Sequence, residues 1–219
     1  MKITVAALTA LVSLITVSNA FDFSYGYKTI YDANADLYVF GTANVRKYTE
    51  PFGSPPALYW GPTANSVTGL LTMRFDFSAP TTLINLQADL ASFNFAGGGG
   101  TGSGASSLWA STNGSTWTLL LDNPTPATID SYKTYQQNVP AALLGATSFY
   151  VQTRLIVQGA PNTNYTDGQF SRSDTNRITD VFHINASVVP EPTSVLLLMS
   201  GAVLFMQRRS LRIRNGGRT

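Results

Sequence analysis

The chain has 219 residues, of which 12% are charged and 44% hydrophobic, and its formal net charge is +2. It contains no cysteine and one histidine, which excludes disulfide bonds, thiol catalysis and thiolate metal sites. Charged residues are sparse, while Ser, Thr, Asn, Gly and aromatic residues are abundant. This composition indicates an all-β extracellular domain with polar loops.

The first residues have the layout of a secretory signal peptide. Lys2 gives a positive start, and residues 3–17 form an uncharged, mostly apolar run. Small residues follow, and we expect cleavage between Ala20 and Phe21. An uncleaved N-terminal anchor is the alternative. Residues 1–20 are therefore predicted to form a signal helix, and residues 21–189 a single exported domain that is long enough for one hydrophobic core.

Alternating apolar residues predict β-strands along the exported domain. The clearest runs of this kind contain Leu71, Met73, Phe75; Ile84, Leu86, Ala88, Leu90; Phe149, Val151, Leu155; and Phe182, Ile184, Ala186. The apolar parity switches at Phe93 and Phe95, which predicts a β-bulge or a bend near Ala91 and Ser92. Together these strands predict a single jelly-roll-like β-sandwich.

A hairpin is predicted over residues 107–121, where Asn113 and Gly114 separate two apolar runs. Asn-Gly favours a type I′ turn, in which both central residues have positive φ. The segment from Ser111 to Trp117 resembles the Ser-x-Asp-Gly-x-x-Trp hairpin of discoidin-like and other carbohydrate-binding β-sandwiches, and the sialidase Asp-box with Asn in place of Asp. The motif is mainly structural in those families, so the resemblance implies a fold and not a site.

Three aromatic residues lie in polar, loop-like stretches of the sequence. Tyr59 and Trp60 fall within residues 51–65, and Tyr165 falls within residues 162–176. We expect these rings to be exposed and to form a platform for a glycan, with hydrogen bonds from neighbouring Asn and Asp residues. A structural or adhesive protein without a defined ligand is the alternative function.

The periodicity of the last strand places Asp180 on the core face with Ile178 and Phe182. A carboxylate there must be hydrogen-bonded, displaced by a bulge or bound to a metal. A structural Ca²⁺ at Asp180 is the least favoured of these options, and no other cofactor is expected. His183 falls on the opposite, polar face as a solvated residue. The sequence shows no nucleophile–base pair and no carboxylate pair, so a carbohydrate-active enzyme is not expected.

The C-terminal residues combine a polar motif, an apolar run and an arginine cluster. Pro190, Glu191 and Pro192 precede an apolar helix predicted at about residues 193–207. The cluster consists of Arg208, Arg209, Arg212 and Arg214. The apolar run of this helix, residues 193–206, has fourteen residues and spans only about 21 Å of a hydrocarbon core of about 30 Å, so a buried core helix is the alternative. Arginines directly after an apolar run favour a membrane anchor with a cytoplasmic tail.

This order of parts, over residues 190–219, resembles the PEP-CTERM sorting signal of exopolysaccharide-producing Gram-negative bacteria. The resemblance implies that the export machinery and an exosortase recognise the chain and that cleavage occurs near Pro190, Glu191 and Pro192. It also implies an inner-membrane-anchored intermediate, which then reaches the cell envelope, outer surface or extracellular matrix, where exopolysaccharide is the candidate partner.

The tail also accounts for the basic character of the whole chain. Residues 21–189 hold eight of the fourteen Lys and Arg and eleven of the twelve Asp and Glu, which leaves a charge near −3. The sequence pI of about 8.9 therefore reflects the tail. No nucleic-acid partner is expected for the exported domain.

Overall fold

The computed structural model describes residues 21–50, 56–95, 102–159, 167–173 and 180–189. The predicted signal segment, the sorting motif, its helix and arginines, and Tyr165 lie outside these ranges. Within them, no helix combines the length and the apolar character that crossing a membrane requires.

Almost all regular structure in the described residues is β-strand. The strands are β1 Phe23–Tyr27, β2 Val39–Ala43, β3 Val45–Thr49, β4 Leu58–Pro62, β5 Gly69–Asp76, β6 Thr81–Phe93, β7 Ser103–Ser111, β8 Thr118–Asn123, β9 Asp130–Asn138, β10 Ser148–Gln158, β11 Gly168–Ser173 and β12 Phe182–Val188. A single 3-10 turn, Ala141–Leu143, follows Pro140 within the described part of the chain.

The strands form two antiparallel sheets, which confirms the predicted all-β sandwich. One sheet has seven strands: β6 pairs with β12 along its first half and with β11 along its second half, while β9 occupies its other edge. The order continues outward through β1 on one side and through β4 and β3 on the other. The second sheet has five strands in the order β2-β5-β10-β7-β8.

The core lies between the two sheets and is built from the alternating residues of their inner faces. Leu71, Met73 and Phe75 of β5 are buried, as the sequence pattern predicts. Aromatic rings join the sheets: Phe75 of the five-stranded sheet stacks on Phe182 of the seven-stranded sheet, with centroids 6.1 Å apart and planes 11° apart. Such contacts add to the free energy gained by burying apolar area.

The bulge predicted near Ala91 is wrong. The pairing of β6 with β9 runs without a break from Asn85 to Phe93. The apolar parity switches because the second half of β6 is covered on both faces: outward-facing Ala91 is 0% exposed and Phe93 is 6% exposed. A strand that is buried on both faces loses its alternation without any change in backbone geometry.

Candidate functional site

The outer face of the five-stranded sheet carries aromatic and arginine side chains. Alternation sets this arrangement, because Phe149 and Val151 of β10 point into the core and their neighbours therefore point outward. The register then aligns outward residues from adjacent strands: Tyr150 lies opposite Arg74, and Gln152 lies opposite Trp109. We call the following set the five-stranded face: Phe40, Thr72, Arg74, Trp109, Tyr150, Gln152 and Arg154.

One half of this face is a cluster around Arg74. The Arg74 guanidinium lies 5.6 Å from the ring centroids of both Phe40 and Tyr150, and the two rings meet edge to face at 5.8 Å. Arg74 also forms an ion pair with Asp76, with Nε 2.9 Å from Oδ1. Phe40 is nevertheless 61% exposed. A large apolar ring left in water at the centre of such a cluster indicates a contact surface.

The other half is a chain of contacts that fixes Arg154 against Trp109. The guanidinium carbon of Arg154 lies 4.0 Å from the Trp109 ring centroid, and its Nε donates to Gln152 Oε1 at 3.0 Å. Gln152 donates in turn to Thr72 Oγ1 at 3.1 Å. These contacts hold the Arg154 guanidinium in one orientation before any ligand arrives, which lowers the entropy lost on binding.

The two halves lie far enough apart to contact an extended ligand. Phe40 on β2 and Trp109 on β7 are separated by the widths of three strand pairings, about 14 Å at the usual spacing. The surface between them is formed by Thr72, Gln152 and Tyr150. Apolar rings alternating with hydrogen-bonding groups over this distance suit a chain-like, polyhydroxylated molecule better than a compact one.

The β7–β8 hairpin borders this face and has a different turn from the predicted type I′. Among the two central residues only Gly114 has a positive φ, 71°. The Asn113 side chain holds the loop instead: its Oδ1 accepts hydrogen bonds from the backbone N–H groups of Ser115 at 2.9 Å and Thr116 at 2.8 Å. The Tyr150 ring lies against Gly114, 3.4 Å from where a β-carbon would stand.

The interpretation of Tyr59 and Trp60 as exposed platform residues is wrong. The segment is strand β4, which lies between β3 and β11, and Tyr59 is 0% and Trp60 8% exposed. Tyr59 stacks on Tyr48 with centroids 5.6 Å apart, and Lys47 Nζ lies 5.1 Å from the Trp60 ring. Both rings are therefore packed. Tyr165, the third predicted platform residue, lies outside the described residues.

Asp180 does not share the core face with Phe182. Val181 and Phe182 are both buried, so the alternation fails just before β12 and the Asp180 carboxylate reaches His183, with Oδ2 2.9 Å from Nδ1. This is the hydrogen-bonded option among the three expected for Asp180. In the described ranges, no three His, Asp or Glu residues converge as a metal site would require. Calcium at Asp180 stays a prediction.

His183 lies on the polar outer face of the seven-stranded sheet, as predicted, and it contacts a serine. Ser24 Oγ is 3.5 Å from Nε2, so Ser24, His183 and Asp180 follow the order of a hydrolase triad. Two features oppose catalysis. Asn185 Oδ1 lies closer to the same Nε2, at 2.9 Å. Ser24 also lies within the β1–β12 ladder, where backbone N–H groups serve the sheet and not an oxyanion hole.

A second polar cluster, which the sequence did not reveal, lies where β11 begins. Burial, and secondarily the nearby Glu50 carboxylate, raises the pKa of Asp167 to about 6. Burial also raises the pKa of Glu50, although Arg172 opposes this from 3.5 Å away. Asp167 Oδ1 and Glu50 Oε2 have no hydrogen-bond partner in the described part of the chain. These carboxylates weaken the fold at neutral pH.

The residues of the five-stranded face were missed because their spacing in the sequence is not regular. Tyr150 and Gln152 occupy the outward positions of a strand whose core positions were recognised, and that parity was the available signal. Phe40 and Trp109 come from distant strands, and only the sheet pairing brings them to the same surface.

No protein-family model matches the sequence, and no curated protein matches it. The structure is similar to the C-terminal CBM6 of a marine laminarinase from Zobellia galactanivorans, with 11% identity, a TM-score of 0.37 and coverage of 74% of this chain and 99% of that one. It is also similar to CBM27-1 of Caldicellulosiruptor saccharolyticus, solved with mannohexaose, with 15% identity, a TM-score of 0.31 and coverage of 70% and 84%. Both are carbohydrate-binding β-sandwiches.

Proposed function

We propose that the protein is a non-catalytic, exported β-sandwich that binds polysaccharide through its five-stranded face. One observation carries the proposal: Phe40, Tyr150 and Trp109 lie on one outer face, with arginine and amide groups fixed between them. A face that contacts only water does not need aromatic rings, because an exposed ring does not gain the free energy of burial.

The chemistry of this face matches that of a sugar chain. The flat side of a pyranose ring presents C–H groups that pack on aromatic rings, and its edge presents hydroxyl groups that accept and donate hydrogen bonds. Phe40, Tyr150 and Trp109 supply the rings, which are rigid and lose little entropy on binding. Gln152 and Thr72 supply donors and acceptors between them.

Export and sorting form the second part of the proposal. The signal-like residues 1–20 and the order of parts in residues 190–219 support a chain that is exported, anchored through the apolar segment and processed by an exosortase. It then acts in the cell envelope or extracellular matrix. In the native host, Glu191→Ala is expected to leave unprocessed precursor in the membrane fraction on an immunoblot. Normal processing of this variant would contradict the sorting proposal.

The alternative is a structural or adhesive envelope protein that has no ligand. One contact favours it: the Arg154 guanidinium already covers the Trp109 ring at 4.0 Å, so that ring has an internal partner. A cation–π contact at an exposed site stabilises a fold by about 0.5–1 kcal/mol. The exposed Phe40 ring has no comparable cover, and it favours the binding proposal.

The test measures binding of the full-length chain to fractions of the host exopolysaccharide. A detergent with a polyoxyethylene head group keeps the apolar segment soluble without adding a competing sugar. We expect saturable binding, and a loss of about 2 kcal/mol or more, roughly 30-fold in Kd, for Trp109→Ala/Tyr150→Ala.

The matched control is Tyr132→Ala on the seven-stranded sheet. Tyr132 is 53% exposed and lies 5.1 Å from a guanidinium, that of Arg172, so it has the same chemistry on the other face. Its replacement is expected to leave Kd unchanged. Binding that the double variant retains would place the ligand away from the five-stranded face and contradict the proposed site. An absence of binding to every fraction would leave the structural alternative.

The absence of catalysis and of a metal requirement are tested on the same samples. No release of reducing sugar is expected over the time of the binding assay. EDTA is expected to leave the melting temperature unchanged, and a lower value would support a structural Ca²⁺.

A further inference from the structure

The guanidinium contacts of Arg154 differ from those of Arg74 and Arg172. Arg74 pairs with Asp76, and Arg172 pairs with Glu50. The guanidinium of Arg154 has one hydrogen-bond partner among the described residues, the neutral oxygen of Gln152, and no ion pair is formed there. A cation held in place without a counter-charge is available to an anionic ligand.

The geometry leaves the end of the guanidinium free. Nε is occupied by Gln152 and one planar side stacks on Trp109. The two terminal NH₂ groups have no hydrogen-bond partner in the described part of the structure. They form a planar pair of donors that matches the two oxygens of a carboxylate or a sulfate group. Stacking and the Nε bond fix this pair of donors in advance, so little side-chain entropy is lost on binding.

The nearest acidic groups on this face do not fill the role. Asp76 is engaged by Arg74 at 2.9 Å and by Ser148 Oγ at 2.7 Å. Asp122 is opposite Ser107, which is itself opposite Arg154, so it stands two strands away, about 10 Å. No ion pair joins the Asp122 carboxylate to the Arg154 guanidinium among the ion pairs of the described residues.

We propose that the polysaccharide bound by the five-stranded face is anionic, and that Arg154 binds a carboxylate or sulfate group of a sugar that lies beside the stacked Arg154 and Trp109 side chains. The inference rests on the proposed function, because it names the class of glycan for that same face. General charge attraction does not account for it, since residues 21–189 carry eight basic and eleven acidic residues.

The experiment compares ligands that differ only in charge, using the full-length chain in the same detergent. The carboxylate arm uses polygalacturonate against its methyl ester, and the sulfate arm uses dextran sulfate against dextran. We expect the charged member of at least one pair to bind about tenfold more tightly, because a charge-assisted bidentate contact is lost in the neutral member. The arm that shows the preference identifies the anionic group.

Three variants assign the preference to Arg154. Arg154→Gln is expected to abolish the charge preference, and Arg154→Lys to retain part of it, because lysine keeps the charge without the planar pair of donors. Lys28→Gln removes one positive charge from an exposed residue elsewhere and is expected to keep the preference. Thermal unfolding of each variant shows whether it is folded.

The outcomes separate the two proposals. Equal binding of the charged and neutral members, still lost in Trp109→Ala, overturns the anionic inference and leaves glycan binding standing. A preference that Lys28→Gln weakens as much as Arg154→Gln also overturns it, since the effect is then one of total charge. If no polysaccharide binds, the proposed function itself fails.

Discussion

The two outer faces of the sandwich are built by the same alternation and carry different chemistry. Outward residues of the seven-stranded sheet are mostly amides, hydroxyls and one histidine, and they bond to one another: Asn85 donates to Asn138 at 3.1 Å, and His183 contacts Asn185 and Asp180, each at 2.9 Å. The seven-stranded sheet also exposes Tyr132, whose ring packs against Phe93 and Arg172. Outward residues of the five-stranded sheet include the exposed Phe40 ring, the partly buried Tyr150 and Trp109 rings, and an arginine without a carboxylate partner among the described residues.

This difference separates a face whose polar groups bond to one another from a face that leaves the Phe40 ring in water. Polar groups that bond to their neighbours or to water need nothing further, and their net contribution to stability is small. An exposed Phe40 ring, by contrast, remains unfavourable until something covers it. The number of polar residues is therefore a poor guide to a binding face. Apolar rings left in water and charges without a counter-charge are a better guide.

The largest expected effect lies where the two sheets meet. A β-carbon added to Gly104 of β7 would stand 2.2 Å from the backbone carbon of Asp167 and 2.4 Å from the backbone nitrogen of Gly168. Backbone atoms cannot turn aside, so Gly104→Ala is expected to reduce the free energy of unfolding by about 3 kcal/mol. Urea denaturation of the full-length chain measures the change.

Gly41→Ala is the control for this variant. A β-carbon at Gly41 of β2 meets nothing within 4 Å, so this substitution should leave stability within about 0.5 kcal/mol or raise it slightly. Equal losses for Gly41 and Gly104 would mean that the two sheets do not approach each other at Gly104.

The next effect is a pH dependence of stability that differs in sign between the buried Asp167 and the exposed Asp76. The pKa of Asp167 is raised from 3.8 to about 6, so the folded protein binds this proton more tightly than the unfolded chain does. The contribution of Asp167 to the free energy of unfolding therefore falls as pH rises from about 4 to 6. Asp167→Asn should reduce the stability difference between pH 4 and pH 7 on the order of 2 kcal/mol.

Asp76 on the five-stranded face gives the opposite comparison. Hydrogen bonds from Ser148 and Arg74 lower the pKa of its carboxyl group. The contribution of Asp76 to stability is therefore present at neutral pH and is lost as the pH falls below the ordinary pKa of an aspartate. Asp76→Asn should therefore shift the profile in the reverse direction. Urea midpoints at several pH values measure both variants, and shifts of the same sign would refute this assignment.

The fold was predictable because its central strands alternate in a regular way. β5 and β10 each have one buried face, and the period of two in the sequence records it. β4 was mistaken for a loop since it follows a proline-rich stretch and is buried on both faces from Tyr59 to Pro62, which leaves no alternation to detect.

The candidate site was not predictable for a different reason. The outward parity of Tyr150 and Gln152 is visible in the sequence, but the contact between Phe40 and Tyr150 depends on the order β2-β5-β10. Strand order is decided by packing across the core and by non-local pairing, which local patterns do not encode. The sequence therefore favours aromatic residues with a loop-like context over those of the five-stranded face.

A smaller effect concerns the hairpin that borders the five-stranded face. Asn113 Oδ1 accepts four hydrogen bonds, two from the backbone and one each from Ser111 Oγ and Ser115 Oγ at 3.0 Å. Asn113→Ala removes this acceptor from a loop that water can reach, so we expect a loss of about 1 kcal/mol. Thr116→Ala leaves the backbone N–H donor of residue 116 in place and should be neutral. Thermal unfolding compares the two, and an equal loss would show that the side chain does not hold the turn.

The smallest expected change in stability gives the most direct comparison of the two faces, because one amide side chain is removed from each face. Asn85→Ala breaks an exposed pair with Asn138 and should cost less than about 0.5 kcal/mol, with no change in polysaccharide binding. Gln152→Ala frees Arg154 from its Nε bond and should weaken binding about fivefold, because the guanidinium is no longer fixed beside Trp109. Kd and melting temperature are measured for both. If Asn85→Ala weakened binding and Gln152→Ala did not, the ligand would lie on the seven-stranded sheet, and the polar groups that bond to one another there would form the binding face.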